Sequence, residues 1–128
     1  MKRKIEILNN VWNLIESDSK RIGGTCGLYL HGVVDEFRDI DIIVDSIDSI
    51  SLNFPTIPFN HKKRLNKGLK YNVDGLEVDV LETIVSSKPE EWKTIHGLRC
   101  ESVDAIMVAR KTLNDFLKEV YQEEGKQL

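Results

Sequence analysis

Apolar residues recur every three or four positions over residues 3 to 16, at Ile5, Leu8, Val11, Trp12 and Ile15, and predict an amphipathic helix with one face for a core. Ser17-Asp18-Ser19 breaks that pattern, and Lys20 to Ile22 reads as a brief strand delivering Gly23-Gly24. A short helix from Thr25 to His31 follows, and Gly32 stops it. In Arg38-Asp39-Ile40-Asp41-Ile42-Ile43-Val44 the period drops to two. Ile40, Ile42 and Val44 then share one face of a strand, while Asp39 and Asp41 project together from the other. Ser, Asn and two prolines between Asp45 and Asn60 predict an irregular connection anchored by Ile47, Ile50, Leu52 and Phe54.

Farther along, alternating segments flank Asp74-Gly75, a strong signal for a two-residue hairpin. On its second strand Glu77, Asp79 and Leu81 share one face, and Val78 and Val80 the other. Pro89-Glu90-Glu91 reads as a first helical turn with an acidic start, and Trp92 and Ile95 plug the edge of the core. Leu98 to Glu101 is a last short strand. Ser102 then caps a long helix with Val103, Ile106, Met107, Leu113, Leu117 and Val120 at helical spacing. These elements predict an α+β fold: a small mixed β-sheet with helices packed mainly on one face.

The 128 residues fit one domain, 1–128, with room for a single core. Hydrophobic content of 41% and charged content of 30% are those of a soluble globular protein, and no apolar run reaches membrane-spanning length. The start, Met1 to Leu8, has no apolar signal core, so a cytoplasmic location away from membranes is expected. Cys26 and Cys100 lack C-x-x-C spacing and read as free buried thiols. A net charge of −3 argues against a dedicated nucleic-acid coat. The basic run His61-Lys62-Lys63-Arg64, with Lys67 and Lys70, reads equally as a phosphate contact or a solvated face.

The chemistry concentrates between Arg21 and Asp45. Two carboxylates side by side cannot both ionise cheaply without a cation, and paired oxygen ligands suit Mg²⁺ or Mn²⁺ together with substrate phosphates. Taken alone, Asp39 and Asp41 read as well as the polar end of an edge strand. Gly23 and Gly24 let the backbone turn sharply and bring N–H groups close to a phosphate, or simply form a tight turn. Arg38 pairs with Asp39 or reaches a phosphate, and His31 satisfies carbonyls or packs at a helix end, with a catalytic role secondary.

Taken in order, Gly23-Gly24, the apolar turn to Leu30-His31-Gly32, the short loop and Arg38-Asp39-Ile40-Asp41-Ile42-Ile43-Val44 resemble the glycine motif and D-h-D signature of the polymerase beta-like nucleotidyltransferase superfamily. The style is similar to minimal bacterial nucleotidyltransferases and to lincosamide and aminoglycoside adenylyltransferases. The resemblance implies a nucleotidyltransferase fold and a third carboxylate inside an h-D-h pattern on a neighbouring strand. Val78-Asp79-Val80 fits that position, with Glu77 as the competing candidate. It also implies a basic residue facing the phosphates from a helix, matched by Arg110 and next by Lys111.

On this reading Asp39, Asp41 and Asp79 hold Mg²⁺ or Mn²⁺, and Gly23, Gly24, Arg38 and Arg110 contact a nucleoside triphosphate. The triphosphate's nucleoside monophosphate passes to a hydroxyl acceptor with release of pyrophosphate, and Asp79 takes the acceptor proton. Neither the acceptor nor the base is specified by any residue. The chain departs from the family pattern in its short, polar first strand, in the missing serine of the glycine motif and in the acidic loop Val34-Asp35-Glu36. Its small size leaves little room for an acceptor domain, so a homodimer or a partner protein is expected to complete the site. Two other readings stand beside this one: a catalytically silent partner-binding module of the toxin and antitoxin type, and an adaptor whose acidic strands are only surface.

Overall fold

The computed structural model describes residues 2–52, 57–58 and 65–123. Helix α1 (Lys2–Leu14) opens the chain, and strand β1 (Ile15–Glu16) follows without a break. The helix ends two residues sooner than its apolar period suggests. The cause is pairing: Ile15 and Glu16 run antiparallel to Leu52 and Ser51 of β4 (Ser51–Leu52). Strand β2 (Arg21–Gly23) leads into helix α2 (Gly24–Leu30), and β3 (Ile40–Val44) carries the acidic alternation. The connection after β3 is more ordered than its prolines suggest, with a 3₁₀ turn at Ile47–Ser49 and the short strands β4 and β5 (Ile57–Pro58). Phe54 and the basic run His61 to Arg64 lie outside the described residues.

The hairpin forms as its sequence predicts. Strands β6 (Gly68–Val73) and β7 (Leu76–Glu82) pair antiparallel, with Val73 opposite Leu76. Both turn residues have positive φ, 51° at Asp74 and 83° at Gly75, the combination a type I′ turn requires. Beyond a 3₁₀ turn at Pro89–Glu91, a second hairpin joins β8 (Lys93–Ile95) to β9 (Leu98–Cys100). Sequence alternation does not announce β8, because Lys93 and Thr94 are both exposed and the strand lies at the sheet edge. Helix α3 (Val103–Glu123) closes the described chain, with Ser102 Oγ accepting a 3.1 Å hydrogen bond from Ala105 N as the predicted cap.

One mixed sheet carries the order β5-β6-β7-β3-β2-β9-β8. In the centre β3 runs parallel to β7 and antiparallel to β2, while β2 runs parallel to β9. This is the expected α+β arrangement. Ile22, Ile40, Ile42, Val44, Val78 and Val80 form one face, and they meet Ile7, Leu8 and Val11 of α1 in the core. The opposite face carries Asp41 and Asp79. Met107 does not join the packing of α3: it is 50% exposed, and Ile106 takes the buried position. Among the described residues no helix is long and apolar enough to cross a membrane.

Candidate functional site

Strand register determines which carboxylates meet. Gly23 of β2 lies opposite Asp41 of β3, and Asp41 lies beside Asp79 of β7. In parallel and antiparallel ladders alike, paired residues point to the same face, so Asp41 and Asp79 stand side by side on the sheet. Asp39, one residue before β3, is exposed, yet its charge is felt at Asp79. Glu77 is half-buried at one register step from Asp79 and forms a 3.5 Å ion pair with Lys70. Asp79 therefore lies beside Asp41, and Glu77, on the same face, interacts with Asp79 itself.

Asp79 is 6% exposed, and its Oδ1 is buried without a hydrogen-bond partner. Burial, then the Glu77 charge and a side-chain hydrogen bond with Glu77, and the Asp39 charge, push this carboxyl up to about 7, against the opposing pull of Lys70, its cross-strand partner on β6. A buried acceptor with no donor suits a ligand that brings positive charge. Among the described residues no three His, Cys, Asp or Glu side chains converge as a ready-made metal cluster. The donor set itself, all carboxylate oxygen, fits Mg²⁺ or Mn²⁺.

The raised Asp79 carboxyl has a consequence for stability. Its folded value exceeds that of the unfolded chain, so the contribution is fully present below about pH 4 and is lost as pH rises through about 7. The metal-free protein is accordingly expected to lose about 3 kcal/mol between pH 4.5 and 8 through this group. Urea unfolding in the presence of a chelator measures the slope, and Asp79→Asn should flatten it.

Gly24 lies against Asp41. With φ at +58°, it takes a conformation that side chains resist, and a Cβ there would overlap Asp41 Oδ2 and lie 2.8 Å from Cγ. At Gly23 a Cβ would press to 2.7 Å from Ile43 Cγ1. Gly24 thus lets the Asp41 carboxylate lie directly against the backbone that starts α2, and Gly23 makes room for Ile43. Gly24→Ala should cost roughly 1–3 kcal/mol in thermal unfolding and displace Asp41, weakening any ligand held there.

Two cavities meet at this point. One, of about 370 Å³, is lined by Arg38, Asp39, Asp41, Thr25 and the loop from Val34 to Phe37. The other, of about 200 Å³, lies between the sheet and α3, with Gly23, Gly24, Asp41, Glu101 and Arg110 in its wall. Asp41 and Thr25 belong to both. Arg110 faces the second cavity, whereas Lys111 turns away to a 2.8 Å ion pair with Asp115. His31 is a structural group: its Nε2 makes a 2.7 Å hydrogen bond with the carbonyl of Glu101. Cys26 and Cys100 are free, and burial raises both thiols, that of Cys100 to about 12, so neither serves as a nucleophile.

Beside the site lies a buried ion-pair network that sequence patterning does not reveal. Arg21, 0% exposed, donates through Nε to Glu101 Oε1 at 2.7 Å and through Nη1 to Asp45 Oδ1 at 2.7 Å. Ser87 Oγ donates to the same Glu101 oxygen at 3.2 Å and accepts from Trp92 Nε1 at 2.9 Å. The Arg21 guanidinium lies 4.7 Å from the Trp92 ring centroid, so Trp92 covers this network rather than the apolar core. Arg21 and Glu101 read in the sequence as ordinary charges at strand ends, and only the sheet brings them together.

No family model matches the chain, and no curated protein matches it in sequence. In structure, the chain is similar to a proposed nucleotidyltransferase from Thermotoga maritima, known from its crystal structure. The likeness has a TM-score of 0.69 at 15% identity and covers 96% of this chain and 92% of that one. At that identity the match establishes the fold: the chain has the nucleotidyltransferase fold that its glycine and D-I-D motifs imply.

Proposed function

We propose that the chain is a metal-dependent nucleotidyltransferase, moving a nucleoside monophosphate from a nucleoside triphosphate to a hydroxyl acceptor. The observation that carries this reading is the juxtaposition of Asp41 and Asp79 on neighbouring strands, with Asp79 Oδ1 buried and unpartnered, in a fold of nucleotidyltransferase type. Asp39, Asp41 and Asp79 would hold Mg²⁺ or Mn²⁺, which supplies charge neutralisation at the phosphates and at the attacking and leaving oxygens. Arg38, in the cavity shared with Asp39 and Asp41, would meet the triphosphate. Gly23 and Gly24 would leave backbone open to the phosphates, and Arg110 would face them from α3.

The acceptor oxygen attacks the α-phosphorus. An oxygen–phosphorus bond forms there as the bond to the bridging oxygen of the β-phosphate breaks, and pyrophosphate leaves with the electron pair. Asp79, the buried carboxylate beside Asp41, would take the acceptor proton. A second copy of the chain or a partner protein would complete the acceptor side, and sedimentation of the active species checks that.

Incubation with nucleoside triphosphates labelled at the α-phosphate, Mg²⁺ or Mn²⁺ and fractionated cell extract tests the reading. Label is expected in one fraction with stoichiometric pyrophosphate. Metal-dependent nucleotide binding without transfer to any fraction would favour the silent partner-binding module instead.

A further inference from the structure

The cavity of about 200 Å³ beneath α3 is a gap between two apolar layers. Its floor is Ile43 and Leu81, register partners on β3 and β7. Each lies two residues beyond a site carboxylate, Ile43 after Asp41 and Leu81 after Asp79, so all four share one face of the sheet. The roof includes Ala109 and Leu113 of α3. Apolar layers in a protein ordinarily close on one another. Here Ile43, Leu81, Ala109 and Leu113 all stay only half-buried. Gly23, Gly24, Asp41 and Arg110, the groups proposed above to meet the triphosphate and its metal, belong to the same wall.

Glu101, also in that wall, supplies a second observation. Its backbone N donates to the Ile22 carbonyl at 2.9 Å, and its Cγ lies 3.9 Å from where a Cβ on Gly23 would stand, so its side chain shares the site face. Arg21 and Ser87 hold Oε1, while Oε2 is buried with no partner among the described residues. Arg21 already balances the charge, so what Oε2 lacks is a hydrogen-bond donor rather than a cation.

We infer that this gap is the slot for the nucleobase of the triphosphate, held flat between the sheet and α3 with an N–H of its edge on Glu101 Oε2. The inference deepens the transferase reading and rests on it for the phosphates. Apolar walls suit the faces of a heterocycle and offer nothing to a phosphate chain. The spacing suits a nucleotide too: Ile43 lies about 6.6 Å along the strand from Asp41, close to the span of a ribose between α-phosphate and base. Asp41 borders both cavities, so an α-phosphate there leaves the β- and γ-phosphates in the cavity of Arg38 and the nucleoside under α3. A void of about 150 Å³ holds benzene, and about 200 Å³ has room for a heterocyclic base.

Calorimetric titration of the full chain with Mg²⁺ and each of the four ribonucleoside triphosphates, beside inorganic tripolyphosphate, tests the slot. The tightest of the four is expected to bind at least roughly tenfold more tightly than tripolyphosphate, the factor that removing about 55 Å² of apolar surface from water supplies. Ala109→Leu fills the slot and should erase that advantage while leaving tripolyphosphate binding unchanged; Ala105→Leu, in the same wall, serves if the first variant fails to fold. Purine riboside triphosphate, whose base carries no N–H, should bind roughly tenfold less tightly than ATP. No advantage over tripolyphosphate in the parent chain, or an advantage kept by the filled variants, would overturn the inference, and equal binding of ATP and its purine analogue would overturn the contact with Glu101. Asp41→Asn separates the two readings. If it weakens nucleotide and tripolyphosphate alike while Ala109→Leu changes neither, the transferase reading stands and the base lies elsewhere; if it weakens neither, the transferase reading falls whatever the slot holds.

Discussion

The Asp41→Asn protein is expected to transfer nucleotide at least roughly 10³-fold more slowly than the parent chain, with folding unimpaired. The size follows from position. Asp41 sits in register between Gly23 and Asp79, against the backbone of Gly24, and borders both cavities. On the proposed transferase reading its loss would remove a charged oxygen from the metal set, and several kcal/mol of transition-state stabilisation converts at about 1.4 kcal/mol per tenfold. Stability should hold or rise, because the substitution relieves repulsion with Asp39 and Asp79. Initial rates and urea midpoints of the same preparation separate the two effects. Asp39→Asn, at an exposed position before the strand, should cost less than Asp41→Asn.

The largest stability effect is expected at Arg21. A guanidinium at 0% exposure holds Glu101 and Asp45 by 2.7 Å contacts and lies under Trp92. Arg21→Ala leaves the Glu101 carboxylate buried without its counter-charge and opens a cavity, at a cost of about 3–5 kcal/mol. That is a large share of the roughly 5–15 kcal/mol holding a typical domain together. Replacing Arg21 and Glu101 together by Met should cost much less than the sum of the single changes, since neither charge is then stranded. Equilibrium denaturation of the four proteins in that cycle measures the coupling, and additive single changes would show the pair to be unimportant.

Much of this fold is legible because its strongest elements are local. The helical period before Ser17, the alternation through Ile40, Ile42 and Val44, and the Asp74-Gly75 turn each specify their structure within a few residues. The juxtaposition of Asp41 with Asp79 is different. Alternation places each on a strand face, but only the parallel pairing of β3 with β7 makes them neighbours, and that pairing became an expectation through family resemblance. Arg21 and Glu101 escape pattern reading altogether, since their meaning comes from a contact across 80 residues of chain. Trp92 and Met107 mark the same limit. Apolar type and spacing suggest burial in the core, while the first stacks on a cation and the second faces outward.

The most direct test of the central claim needs no acceptor. Free Mn²⁺ is followed by its electron paramagnetic resonance signal while the chain is titrated with a nonhydrolysable nucleoside triphosphate, in parallel with the Asp41→Asn and Asp79→Asn proteins. If the carboxylates on β3 and β7 hold a metal–nucleotide complex, the free-ion signal falls beyond what nucleotide alone removes, and both substitutions abolish that extra loss. An extra loss of equal size in all three proteins, or none in the parent chain, would contradict the assignment of the site.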